Sequence, residues 1–214
     1  MGAVSWLSSI DRREGVGRWR ILGDATGLVT VPADSVVRLD LNLQAHEDPS
    51  PLSQLGPDDL QWLSFHAWGP SIRTDVALGY IGHMTGLEGL DLAGTYVTDS
   101  GLTHVAGLTG LLRLLLEGNP VTDAGLVHLA SLLKLETLDL WGDRVEVSDA
   151  GLVHLAKLTA LQDLTLWGTK ISDAGLEYFH PLTALRRLGL SGTNVTEAGR
   201  EGLRRALPNL ESIN

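Results

Sequence analysis

Leucine recurs at a fixed spacing over most of the chain. Five segments open as Leu-x-x-Leu-x-Leu, and their first leucines follow one another after 24, 24, 26 and 24 residues. The last two leucines of each opening are two residues apart, which is the spacing of side chains on one face of a β-strand. The pattern predicts a short strand at the start of each segment. The opening residues are Leu87, Leu111, Leu135, Leu161 and Leu185.

A second pattern follows each predicted strand after a turn. It reads Thr/Ser-Asp-Ala/Ser-Gly-Leu in four segments and Thr-Glu-Ala-Gly in the last. Ser, Thr or Asp at this place caps the free amides of a helix start, and an acidic residue there is favoured by the helix dipole. Apolar residues then recur every three positions, as in Leu102, Val105 and Leu108, which indicates one buried helical side. Each unit is therefore predicted to be strand, turn, short helix and turn.

These units resemble the leucine-rich-repeat family, in its short class written Leu-x-x-Leu-x-Leu-x-Gly-Thr-x-Val-Thr-Asp-Ala-Gly-Leu, similar to bacterial arrays and to F-box substrate receptors. The resemblance runs from Leu87 to Asn214. It implies an α/β solenoid of horseshoe shape, with a parallel concave β-sheet and short convex helices. Where the family places Asn or Cys after the strand, polar residues are predicted to satisfy backbone groups of the turn. They are Thr95, Asn119, Asp143, Thr169 and Thr193.

Weaker units extend the array toward the N-terminus. One opens at Leu60 and another at Val36, while a final strand is predicted near Ile213. We therefore assign residues 36–214 to a leucine-rich-repeat domain of about seven repeats plus a terminal strand. Residues 1–35 do not fit the repeat and are predicted to form an N-terminal cap, because the first repeat of a solenoid needs a cover for its core.

The non-leucine positions of the strands are predicted to face outward on the concave sheet. Trp141 and Trp167 occupy the same position in successive units, and neighbouring strands lie about 4.8 Å apart, so the two rings are expected side by side. Exposed tryptophans are typical anchors of protein interfaces. An alternative is that both rings pack over Gly142 and Gly168 and simply cover the turn.

Acidic residues give the same face a negative character. Asp40, Asp91, Glu117, Asp139 and Asp163 lie at outward strand positions, which either favours a basic partner or reflects ordinary solvated positions. The predicted partner-binding residues are Asp40, Trp62, Ser64, His66, Asp91, Glu117, Asp139, Trp141, Asp163, Thr165 and Trp167.

Two further features have structural as well as functional readings. The unit that opens at Leu135 carries two extra residues near Asp143, and such an insertion is either a loop that contacts a partner or a tolerated change. His104, His128 and His154 recur at one helical position, but helices pack about 8–10 Å apart, so their rings should not converge on one metal ion. We interpret them as repeat consensus and predict no metal site.

Composition narrows the possible functions. The formal net charge is -10, which disfavours a nucleic-acid partner. The chain has no Cys and shows no phosphate-binding loop, metalloprotease or serine-hydrolase motif, so we predict neither an enzyme nor a cofactor. No basic leader and no stretch of roughly 20 apolar residues appears, which favours a cytoplasmic protein without a membrane partner. The preference for Arg over Lys, with many Gly, Ala and Leu, is typical of a GC-rich bacterial source.

The sequence leaves three functional hypotheses open. The first is a protein-interaction module or scaffold, monomeric when free, that binds another protein or a peptide on its concave sheet. The second is an adaptor or inhibitor subunit, either similar to a substrate receptor or masking a basic toxin or enzyme. The third is carbohydrate recognition, with the two tryptophans stacked on sugar rings. One fold serves all three, so the fold does not choose among them.

Overall fold

The computed structural model describes residues 7–9, 24–25, 38–41, 48–65 and 73–214. The predicted site residue His66 and most of the predicted cap lie outside these ranges. The division into a cap over residues 1–35 and a repeat domain over residues 36–214 therefore stays a prediction.

Within these ranges, ten strands form one open sheet. In chain order, β1 to β10 are Leu7–Ser9, Asp24–Ala25, Arg38–Leu41, Trp62–Ser64, Gly89–Asp91, Arg113–Leu115, Thr137–Asp139, Asp163–Thr165, Arg187–Gly189 and Ser212–Ile213. The strands from β3 to β10 are parallel and follow one another across the sheet, as the repeat predicts. Beyond β3, strands β1 and β2 continue the sheet in antiparallel fashion.

Short helices lie between the strands. The α-helices α1 to α5 are Arg73–Ile81, Asp99–Val105, Asp123–Leu126, Asp149–Leu155 and Glu197–Ala206. In the described part of the chain, 3-10 helices span Ser50–Gln54, Val127–Leu129 and Asp173–Phe179. The architecture is the α/β leucine-rich-repeat solenoid expected from the sequence, with 3-10 geometry in several of its helical segments.

The strand leucines form the core between the sheet and the helices. Leu90, Leu114 and Leu138, which are register partners in adjacent strands, are fully buried. The residues that precede these leucines face away from the core, since Arg113, before Leu114, is exposed and Thr137, before Leu138, is half-buried. The alternation confirms the two-residue period that predicted the strands.

In the five repeats that open at Leu87 or later, the helical part begins at a Ser or Thr that caps it, as predicted. The hydroxyl of Thr122 accepts a hydrogen bond from the amide of Ala124 at 3.2 Å, and Ser148 does the same for Ala150 at 3.3 Å. The hydroxyls of Thr98, Ser172 and Thr196 cap the corresponding segments. The capping hydroxyl satisfies one of the free amides at the helix start.

The Asp after each cap has a role that the sequence analysis did not foresee, because it binds the next repeat. Asp99 accepts two hydrogen bonds from Thr122, one from its amide at 2.9 Å and one from its hydroxyl at 2.6 Å. We call this pair of bonds the Asp clamp. It recurs in the pairs Asp75–Thr98, Asp123–Ser148, Asp149–Ser172 and Asp173–Thr196. Five clamps thus join six successive helical segments.

The glycine of the same motif makes room for the clamp of the preceding repeat. A Cβ on Gly125 would overlap Oδ1 of Asp99 and lie 3.0 Å from Cδ1 of Leu102. The glycines of the other clamped segments, Gly101, Gly151, Gly175 and Gly199, would meet the preceding Asp in the same way. Asp48, in the unit that opens at Val36, instead accepts a hydrogen bond from the amide of Ser50 in its own segment. The following unit, which opens at Leu60, has Ala77 where the clamped segments have glycine. Glycine therefore accompanies the clamp.

The polar residues after the strands bind the turn carbonyls, with one exception. The hydroxyls of Thr95, Thr169 and Thr193 donate to the carbonyl three residues earlier at 2.7 Å. Asn119 donates to the carbonyl of Leu92 at 2.8 Å and accepts from the amide of Val97 at 2.9 Å. These four assignments are confirmed.

The assignment of Asp143 to the turn position is wrong. Glu146 bridges to Thr122 as Lys170 bridges to Ser148, so residue 145 corresponds to Thr169. That position holds Val145, which is 4% exposed, while Asp143 and Arg144 are exposed. The two extra residues project outward and shift the alignment by two.

Candidate functional site on the concave sheet

Strands β6, β7 and β8 carry a compact group of outward side chains. Leu115, Asp139 and Thr165 are register partners across the three strands. Two residues further along, the backbone ladder continues from the amide of Gly118 to the carbonyl of Trp141 at 2.8 Å. Glu117, Trp141 and Trp167 therefore form a second row beside the first. We call these six residues, Leu115, Glu117, Asp139, Trp141, Thr165 and Trp167, the concave patch.

The two tryptophans lie side by side, as predicted. Their ring centroids are 5.4 Å apart and the ring planes are tilted by 56°. This separation falls within the range of about 4.5–7 Å that favourable aromatic pairs adopt. Trp141 is half-buried, and Trp167 is the only aromatic residue among the large hydrophobic side chains exposed in the described part of the chain, at 37%.

A glycine on the neighbouring strand supports the ring of Trp167. A Cβ on Gly189 would overlap Nε1 of that indole and lie 3.0 Å from its Cδ1, so the ring lies across β9. This support is on the sheet, whereas the alternative prediction placed both rings over Gly142 and Gly168 in the turns. Gly189 was not among the predicted site residues, although a glycine at an outward position of the strand after a tryptophan is a signal that could have found it.

Two predicted site residues at the N-terminal end of the sheet, Asp40 and Trp62, both contact Arg38, which was not predicted. The guanidinium of Arg38 lies 5.4 Å from the ring centroid of Trp62 and 2.7 Å from the carboxylate of Asp40. Trp62 covers Gly89, its register partner, and its buried indole Nε1 has no hydrogen-bond partner among the described residues. These residues lie on strands β3 to β5, apart from the concave patch.

Three of the five predicted acidic residues have partners within the chain. Asp40 pairs with Arg38 as described. Asp91 accepts from the hydroxyl of Ser64 and from the amide of Ala93, both at 3.1 Å. Asp163 lies beside the guanidinium of Arg187, whose Nη2 donates to its Oδ2 at 2.6 Å and whose Nε is 2.5 Å from its Oδ1. Ion pairs thus neutralise Asp40 and Asp163, and two hydrogen bonds hold the carboxylate of Asp91.

The other two acidic residues, Glu117 and Asp139, flank Trp141 and have no such partner. Both are half-buried, and neither forms a side-chain hydrogen bond or ion pair with any residue that the structure describes. The cation of the insertion does not neutralise them, since Arg144 stacks over Tyr96 with 4.6 Å between its guanidinium and the ring centroid. Tyr96 has a φ of 66°, in the left-handed region. The longer spacing of this unit pointed to the insertion but not to this contact.

No cluster of three His, Asp or Glu side chains suited to a metal ion occurs within the described ranges. His104 instead lies against Gly79 of the preceding helix, with 3.6 Å between its ring and the position of a Cβ there. Within the same ranges no helix is long and apolar enough to span a bilayer.

Known structures resemble this architecture. Internalin C2 from Listeria monocytogenes superposes with a TM-score of 0.63 and 26% identity over 78% of this chain and 65% of its own. A second Listeria monocytogenes internalin (inlF) gives a TM-score of 0.50 and 20% identity over 78% of this chain and 57% of its own. A leucine-rich-repeat protein of Leptospira interrogans gives 0.56 and 18% over 77% and 45%.

The chain thus spans 65% or less of the length of these proteins. No protein-family model matches the sequence, and the comparison with curated proteins finds no relative. The repeating Leu-x-x-Leu-x-Leu strands, the open parallel sheet and the structural neighbours together identify the chain as a leucine-rich-repeat protein.

Proposed function

We propose that this protein is a recognition module that binds another protein through the concave patch. The observation that carries the proposal is the pair of adjacent tryptophans on the open face of the sheet. Stacked parallel strands create an extended surface that leucine-rich repeats use for binding. Tryptophan is among the residues most enriched at the energetic centres of protein interfaces.

The patch is arranged for binding with little loss of side-chain freedom. Trp167 is held between Trp141 and the backbone of Gly189, so its ring has a defined place before any partner arrives. An anchor that is already ordered costs less entropy on association than a flexible side chain. Leu115 adds an apolar side chain to the same patch, which extends the area that a partner can cover.

The geometry favours a protein partner over a sugar. A sugar ring stacks on a flat aromatic face, whereas the two indoles are tilted by 56° and offer no continuous platform. An adaptor or inhibitor role is compatible with the same surface and would show as a partner bound in fixed stoichiometry. Carbohydrate recognition is an outcome that the following experiment separates from both.

The proposal is tested by using the purified chain as bait in a lysate of the organism that makes it. Trp141→Ala/Trp167→Ala is compared with the wild type, and retained proteins are quantified by mass spectrometry. The matched control is Val127→Ala/Val153→Ala, which removes exposed apolar side chains (46% and 45% exposed) from helical segments. We expect one partner to be lost with the tryptophan variant and kept with the valine variant.

Circular dichroism and thermal unfolding establish that both variants are folded. Capture that survives in a folded tryptophan variant but disappears in the valine variant would place recognition on the helices and refute the proposal. If the purified protein retains no protein partner but binds immobilised glycans, and the tryptophan variant does not, the patch recognises carbohydrate instead.

A further inference from the structure

The concave patch combines apolar rings with two carboxylates, those of Glu117 and Asp139, that pair with no cation in the described part of the chain. Trp141 is its centre, with Trp167 on one side and Glu117 on the other, while Asp139, the last residue of β7, precedes it by two residues in the chain. Neighbouring strands are about 4.8 Å apart and alternate residues of a strand are about 7 Å apart, so one side chain of a partner reaches all four residues.

We propose that this patch binds an arginine side chain presented by the partner protein. The inference rests on the proposed function and adds the chemistry of the group recognised. A guanidinium stacks on the face of an indole and donates parallel hydrogen bonds to carboxylates, which a lysine ammonium does with less geometric fit. The methylene stem of the arginine packs on Leu115, in keeping with the way long cationic side chains cover apolar surface.

Charge complementarity selects a cation for this place. The chain carries a net charge of -10, so a cationic group is attracted to it from a distance. Within the sheet, the carboxylates of Asp40, Asp91 and Asp163 are already bonded to other residues of this chain. Glu117 and Asp139 are the acidic side chains of the predicted site that remain available to a ligand within the described ranges.

The cations of the chain near the patch leave this place open. Arg144 is held over Tyr96, and Arg187 is held by Asp163. Arg113 is exposed on β6, two residues before Leu115, and forms no ion pair with a described residue. A partner arginine therefore faces two carboxylates without displacing an existing salt bridge.

The probe is the peptide acetyl-Gly-Gly-Arg-Gly-Gly-amide, with the citrulline peptide as its uncharged isostere. Binding is followed by NMR of the indole N–H signals, which are assigned by Trp141→Phe and Trp167→Phe variants. We expect the arginine peptide to shift the Trp141 and Trp167 signals and to bind at least about tenfold more tightly than the citrulline peptide.

Two charge variants locate the effect. Glu117→Gln/Asp139→Asn is expected to abolish the preference for arginine over citrulline. Glu88→Gln/Glu177→Gln removes the same number of charges from exposed sites outside the patch and should retain the preference. Equal binding of the two peptides, or equal loss in both charge variants, would overturn the inference.

The same measurements separate this inference from the proposed function. A tryptophan-dependent partner together with equal arginine and citrulline binding would leave the recognition role standing and refute the arginine. Shifts of the two indole signals by a simple hexose, with none from the arginine peptide, would refute both the arginine and the protein partner.

Discussion

The acidic side chains of the Asp clamps and those of the concave patch differ in whether they have partners within the chain. In the Asp clamps, an Asp recurs in five repeats, and each accepts hydrogen bonds from the amide and the hydroxyl of the capping Ser or Thr in the next repeat. On the sheet, neither Glu117 nor Asp139 is paired with any residue that the structure describes, although Asp91, at the register position of Asp139, is hydrogen-bonded. A carboxylate that is hydrogen-bonded to the next repeat holds the solenoid together, whereas one without a partner in the described chain is available to a ligand.

The largest effect expected from this contrast is that of filling the space beside a clamp. Gly151→Ala would drive a Cβ into Asp123 and to 2.9 Å from Cδ1 of Leu126. Overpacking of this kind costs about 1–3 kcal/mol, and the displaced Asp loses two hydrogen bonds to its charge. We expect the free energy of unfolding, measured in urea, to fall by about 3 kcal/mol.

A double-mutant cycle isolates the role of the clamp in that loss. If Gly151 exists to admit Asp123, Gly151→Ala should cost much less when Asp123→Ala is already present. Full additivity of the two losses would show that the glycine is needed for another reason.

The next effect contrasts one paired acid with one unpaired acid. Asp123→Ala removes two charge-assisted hydrogen bonds to Ser148 and should lower the free energy of unfolding by about 2 kcal/mol. Asp139→Ala removes no such contact and should change it by less than about 0.5 kcal/mol. Urea unfolding of both variants checks the contrast, and a loss at Asp139 as large as that at Asp123 would assign it to structure.

Periodicity predicted the fold because burial imposes it. Leu90 and Leu114 repeat since each strand must place the same side chain in one core, and the Ser/Thr cap repeats since each helix start has free amides. The Asp clamp was missed because its partner lies 23 residues away, and a motif within one unit does not show a bond between units. Asp143 was misplaced for the opposite reason, since an insertion breaks the period.

The candidate site was predictable only in its position. Equal repeat positions placed Trp141 beside Trp167, and the structure confirms that neighbourhood. Whether an acidic side chain on the sheet is free or paired depends on side chains of other strands, such as Arg187 beside Asp163. Repeat spacing carries no information on such contacts, so the distinction between Asp139 and Asp163 required the structure.

A smaller effect, of opposite sign, is expected for a glycine that has no clamp beside it. Gly202 lies within α5 and a Cβ there would meet nothing within 4 Å. Gly202→Ala should raise the free energy of unfolding by about 0.5–1 kcal/mol, because alanine loses less backbone entropy in a helix. Thermal unfolding beside Gly151→Ala checks the change of sign, and destabilisation by both would mean that helix glycines are required irrespective of the clamp.

The smallest effect concerns the last clamp, which is open to solvent. The hydroxyl and then the amide of Thr196 donate to Asp173 and lower the pKa of its carboxyl below the usual value of 3.8. A depressed folded-state pKa contributes stability that is present above the unfolded pKa and is lost as the pH falls through the folded value. Thr196→Val removes the hydroxyl, so NMR titration of Asp173 should show its pKa moving upward, while the same titration in Gly202→Ala should show no change. An unshifted pKa in Thr196→Val would mean that the hydroxyl bond is not formed in solution and that the solenoid is clamped only at its inner repeats.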